Sequence, residues 1–221
     1  MRITRLVAGT VTAGLLGLTP VAIAAPSQAA NTYKTTTVAV PDKTQIEYGD
    51  ETFVSLDVDA ADGSSPRKGT ATLQAMEAGS SNWVTVATNA SARSDFLDVQ
   101  PEMNTTYKVV YSGYTAIDGD IYAASESAPF TVDVARKITY PRWGFVLEGK
   151  VKPNYGEKEI VIKVSKRKNK GFESFKTITT TSTGTYKVTL PRRGGIWYWS
   201  FTVKGDSRYA ANGFLWRTWV S

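Results

Sequence analysis

The 221-residue sequence contains no cysteine and no histidine. Without a thiolate or an imidazole, disulfides, Cys/His metal sites, thiol nucleophiles and imidazole bases are all excluded. Most hydrolytic chemistry goes with them. Two carboxylates can still cleave a glycosidic bond, but among the many acids no pair stands apart, and the chain is read as non-catalytic, with no cofactor and no metal. No run after residue 30 is apolar enough to cross a bilayer, and none repeats its apolar residues with the 3.6-residue period of a helix. What is there is 42% hydrophobic and 21% charged residues, ordinary proportions for a chain that buries a core without cross-links.

At the N-terminus, Arg2 and Arg5 precede an apolar stretch over residues 6–25, and small residues follow it. That order is the pattern of a secretory signal. Ser27, Gln28 and Ala29 favour cleavage after Ala29, Ala22 to Ala24 offer the alternative, and a retained anchor is the competing reading. With residues 1–29 as a signal peptide, the protein is read as secreted or extracellular. It then touches a membrane only during export.

Beyond residue 30, apolar and polar residues alternate in short runs. Val54, Leu56 and Val58 share one face opposite Asp57 and Asp59; Tyr107, Val109 and Tyr111 form another such set, as do Phe130, Val132 and Val134. Gly, Pro, Asn, Asp and Ser clusters separate the runs every ten residues or so, which predicts half-buried strands and an all-β protein. The second half also repeats the first. YGDETFVSLDV at Tyr48 recurs as YGEKEIVIKVS at Tyr155, WVTVAT at Trp83 as FKTITT at Phe175, and FLDVQP as YKVTLP. YSG ending at Gly113 answers VKG ending at Gly205, and YAAS at Tyr122 answers YAAN at Tyr209. These five anchors keep their order, 87 to 107 positions apart, with the excess placed in the segment around residues 64–80. Residues 30–134 and 135–221 therefore read as one architecture used twice.

The run PEMNTTYKVVYSG resembles strand F of an immunoglobulin-like sandwich, with Tyr107 in the position of the tyrosine corner and Val109 where antibody domains carry a cysteine. Together with the YG turns and W-x-x-V, it makes residues from about 35 to 221 similar to the immunoglobulin-like and fibronectin-type repeats of secreted actinobacterial proteins. The resemblance implies two tandem immunoglobulin-like antiparallel β-sandwich domains in an extracellular protein. It also implies a module role in adhesion, wall association or spacing, and it transfers no catalytic residue.

Charge divides the two copies. Residues 31–134 carry 6 Lys and Arg against 15 Asp and Glu, a net −9, whereas residues 135–221 carry 18 against 5, a net +13. Lys163, Lys166, Arg167, Lys168 and Lys170 cluster between two strands of the second copy, which predicts a basic hairpin that binds a polyanion. Lys150, Lys152, Lys158, Arg192 and Arg193 add to it. In an exported protein the partner expected is an anionic cell-wall polymer or glycan, and nucleic acid is not. The alternative partner is a neutral carbohydrate stacked on aromatics, for which Trp216 and Trp219 are the candidates; opposite parity predicts that one of the two faces outward. A purely structural spacer is the third reading. Asp57, Asp59 and Asp62 mimic a calcium loop but lack its spacing, and Asn89 and Asn104 match glycosylation patterns that read as ordinary loop asparagines. The opposed charges of the two copies predict weak, salt-sensitive self-association.

Overall fold

The computed structural model describes residues 30–221, and the signal peptide expected over residues 1–29 lies outside them. Among the described residues the chain forms strands and turns and no helix. The first half contains β1 (Thr32–Tyr33), β2 (Thr35–Pro41), β3 (Gln45–Glu47), β4 (Thr52–Ala60), β5 (Ala71–Glu77) and β6 (Val84–Asn89). It continues through β7 (Phe96–Val99), β8 (Thr105–Tyr111), β9 (Tyr114–Thr115), β10 (Ile121–Tyr122), β11 (Ser125–Glu126) and β12 (Phe130–Ala135). One sheet has the order β2-β4-β7 and the facing sheet β3-β12-β8-β5-β6. The second half contains β13 (Lys137–Ile138), β14 (Val146–Lys152), β15 (Glu159–Ser165), β16 (Glu173–Thr179), β17 (Thr185–Thr189), β18 (Gly195–Val203) and β19 (Asn212–Val220). Its sheets run β13-β14-β17 and β16-β15-β18-β19.

Each half is thus an immunoglobulin-like sandwich of two mostly antiparallel sheets. Alternation decides which side chains meet between them: Val54 and Val58 are fully buried in β4 while Asp57 and Asp59 are exposed, and Val109 and Tyr111 are fully buried in β8. The buried residues gather into two clusters, one per sandwich.

The strand order corrects the first anchor of the repeat. By topology the partner of β4 is β14, since each is the central strand of its three-stranded sheet, and the partner of β15 is β5, since each lies next to the strand that runs into the fourth anchor's turn, β18 and β8 respectively. YGDETFVSLDV and YGEKEIVIKVS therefore occupy non-equivalent strands. The stretch that the wrong pairing leaves over in the first copy contains β5, whose counterpart is β15. The other four anchors fall in equivalent places, and two have a steric cause. A Cβ on Gly113 would lie 2.7 Å from the carbonyl oxygen of Tyr122, and one on Gly205 would lie 2.8 Å from that of Tyr209. In both sandwiches the Tyr-Ala-Ala segment folds back over that glycine.

A second correction concerns Tyr107. Its ring is buried against Phe130, and its hydroxyl meets the Thr105 side chain. The hydroxyl that anchors backbone is that of Tyr111, which donates to the Lys68 carbonyl at 2.9 Å.

The two sandwiches meet through the segment between β18 and β19. Tyr209 belongs to the first sandwich's core although it lies in the second half of the chain. Around it, the Asn104 amide donates to the Arg208 carbonyl and the Ala210 amide to that of Val134, both at 2.9 Å. Arg136, at the crossing point, is 1% exposed. Its guanidinium donates to Asp206 Oδ2 at 2.6 Å and to the Pro153 carbonyl at 3.0 Å, and it lies over the rings of Tyr209 and Tyr155 at 4.3 and 5.0 Å.

Candidate functional site

Strand pairing determines which loops share an end of the second sandwich. Val146 at the start of β14 faces Thr189 at the end of β17, Ser165 at the end of β15 faces Tyr198, and Gly195 at the start of β18 faces Val220. Segments 139–145, 166–172 and 190–195 therefore gather at one pole, opposite the junction. They carry seven cations, Arg142, Lys166, Arg167, Lys168, Lys170, Arg192 and Arg193, and no Asp or Glu. The nearest acid in sequence is Glu173, at the foot of β16. Among the described residues none of the seven is in a salt bridge, whereas Lys158, Lys187 and Lys204 of the same sandwich each are.

Three of these cations rest on aromatic faces. Arg193 lies 4.6 Å from the ring centre of Trp197 and 5.4 Å from that of Trp199; Lys166 lies 5.3 Å from Trp197, and Arg192 lies 5.3 Å from Phe145. Such contacts hold a long flexible cation in place without neutralising it. The hairpin itself is tied by Ser165, whose hydroxyl accepts from the Arg167 amide at 3.0 Å and donates to the Lys170 carbonyl at 2.7 Å. Gly171, at φ 68°, completes the turn in the left-handed region.

The residues anticipated from sequence separate into groups. Lys166, Arg167, Lys168 and Lys170 come together at the hairpin tip as expected. Lys163 does not join them: it lies within β15 between Ser174 and Ser200, on the outer face of the sheet. Lys158 pairs with Asp206 at the junction, at 3.3 Å. Trp216 is corrected from a surface contact to a core residue, 7% exposed, with its indole N–H donating to the Gly144 carbonyl at 3.0 Å. Trp219 is the outward member of the pair, 65% exposed beside Ile196. Arg142 was not foreseen as part of the basic pole. The Pro141 to Gly144 turn was a visible signal for an exposed loop, but only the sheet register shows that it adjoins the hairpin.

Other candidates have structural roles. Asp62 Oδ1 accepts from both the amide and the hydroxyl of Ser64, and Asp59 Oδ1 accepts from the Ser65 hydroxyl, so these carboxylates close a turn. Among the described residues no group of three or more metal-ligating side chains comes together, and no helix is long and apolar enough to cross a membrane. The Asn89 side-chain Nδ2 donates to the Ser94 carbonyl, and the Asn104 side-chain oxygen accepts from the Val134 amide.

Compared with protein-family models and with curated proteins, the sequence matches none. Similar solved structures include the human OSCAR ligand-binding domain, at 10% identity over 83% of this chain and 97% of that one, with a TM-score of 0.30. The FN1–FN3 domains of chicken CNTN1 are 14% identical over 84% of this chain and 65% of theirs, with a TM-score of 0.30. Native alpha-2-macroglobulin from Escherichia coli, spanning domains NIE-MG1, is 11% identical over 81% and 96%, with a TM-score of 0.28. Likeness at this level transfers no function, and the fold assignment rests on the strand pairing.

Proposed function

We infer that the protein is an exported, non-catalytic binding module whose second sandwich holds an anionic cell-wall polymer or glycan at its distal pole. The observation that carries this is the gathering of seven cations and no carboxylate from three separated segments onto one end of the sandwich. A polymer with regularly spaced anions meets several of them at once, so weak single contacts add up. Cations already held against rings give up less freedom on binding. The signal-like N-terminus selects polyanions outside the cell.

Retention on purified cell wall over a range of salt concentrations tests this. Binding through the pole weakens steeply as ionic strength rises. Replacing Lys166, Arg167, Lys168 and Lys170 together by Ser should lower retention at low salt while shifting stability by only about 0.5 kcal/mol per site or less, because exposed turn residues contribute little packing. Unchanged retention by this variant removes the hairpin from the account. Exposed Trp219, beside Ile196 and two pairs along the ladder from Tyr198, supports a second reading in which a neutral sugar stacks on this face. Binding of that kind barely responds to salt and is lost in Trp219→Ala.

A further inference from the structure

Two features of opposite character are left without a partner among the described residues. In the first sandwich β6 and β7 are edge strands, one in each of the two sheets. β7 is only four residues long, and Asp98 within it adopts φ 54°, so Leu97 and Asp98 both face outward. The sheets part here over a cleft of about 390 Å³. Leu73 and Tyr107 line its inner part, and Val86 and Leu97, 53% and 70% exposed, line its lip. Glu77, Asp98 and Glu102 are the charged members of the lining, to which no Lys or Arg contributes.

The second feature is Trp143, 84% exposed on the turn between Arg142 and Gly144. A large ring so fully in water forgoes the transfer energy that burial would recover. Arg142 stands beside it, and the neighbouring segments supply further cations. The cleft is apolar with an acidic rim; the turn is apolar with a basic flank.

These two cannot meet within one molecule. The cleft lies at the end of the first sandwich that adjoins the junction, since Glu102 is two residues from Asn104, whose amide bonds to Arg208. The Trp143 turn lies at the opposite end of the second sandwich, the length of nine-residue β18 away, about 30 Å. The occupant must come from another copy.

We propose that the cleft of one molecule receives the Trp143 turn of a second, with Arg142 set against the rim carboxylates. The contact is heterologous, so each joined pair still has a free cleft and a free turn, and copies add head to tail. One ring and its flanking charges bury far less than the roughly 800 Å² per partner of a stable interface, so assembly is weak and depends on concentration.

Sedimentation at low ionic strength with two variants tests the proposal. Trp143→Ser removes the ring, and the double variant Glu77→Lys with Glu102→Lys reverses the rim; all three residues are exposed, and matching melting curves confirm that the folds are intact. Wild-type protein should form species that grow with concentration, and each variant alone should associate roughly thirtyfold more weakly, the scale of a hot-spot tryptophan. An equimolar mixture of the two variants should recover a heterodimer and nothing larger, because one intact cleft and one intact turn remain. Wild-type protein that stays monomeric, a variant that associates as the wild type does, or a mixture that stays monomeric overturns the proposal. The readout contains no polymer, so its failure leaves the polyanion reading standing, and failure of wall binding leaves this one standing.

Discussion

Arg136, 1% exposed, has Asp206 2.6 Å away, and the rings of Tyr209 and Tyr155 cover its guanidinium. Partial burial pushes the Asp206 carboxyl up, but the hydrogen bond from Arg136, the Arg208 amide and the Arg136 charge outweigh it and hold the group at about 2. A carboxyl depressed below its unfolded value of about 3.9 contributes stability that is complete above that value and is lost as the pH falls through about 2. The melting temperature of the wild type should therefore fall between about pH 4 and pH 2 more steeply than that of Asp206→Asn. At neutral pH the same substitution should destabilise by an amount near the lower end of about 3–5 kcal/mol, since it strands a buried cation while Asp206 is itself 38% exposed. Parallel acid titrations of the two melting curves contradict this. No local pattern announces the pair, whose members stand 70 residues apart.

At the scale of the strand, β19 shows how far alternation can be trusted. Trp216 and Thr218 face inward and Arg217 and Trp219 outward, without interruption across the nine-residue pairing with β18. Trp216→Ala should cost about 3–5 kcal/mol, as for a large core ring. Trp219→Ala should stay within about 0.5 kcal/mol. Denaturant melts of the two variants check the contrast, and equal losses would mean that the strand's parity is misassigned. Parity also marks the faulty repeat anchor: Val54, Leu56 and Val58 slip by one against Ile160, Ile162 and Val164 when the two YG turns are aligned. A turn followed by an alternating strand is a generic local pattern, and it matched β4 to β15 because nothing within eleven residues says which sheet a strand joins.

For the whole molecule, the decisive element is the segment around Tyr209, which is 4% exposed within the other sandwich's core. Filling a neighbour's core couples the folding of the two sandwiches. Tyr209→Ala should therefore weaken the first sandwich by about 3–5 kcal/mol, the cost of a large ring lost from a core, and split one calorimetric transition into two. A single transition at an unchanged temperature would show that the sandwiches unfold independently of this contact. The same coupling holds the basic pole at the far end, away from the acidic sandwich, so most of the charge split is not neutralised within one molecule.

Composition and alternation by themselves determined the absence of thiol and imidazole chemistry, the all-β class, the twofold use of one architecture, the inward and outward faces of most strands, and the basic hairpin at Lys166 to Lys170. Each of these depends on residue type or on neighbours two positions apart, and such information is local. Tertiary structure alone decided that Arg142 joins that hairpin while Lys163 and Lys158 do not, that Trp216 is core, that Arg136 and Tyr209 fasten the two halves, and that an acid-rimmed cleft opens between β6 and β7. These depend on which strands pair and which sheets face each other, and that is settled by burying apolar faces from distant parts of the chain against one another.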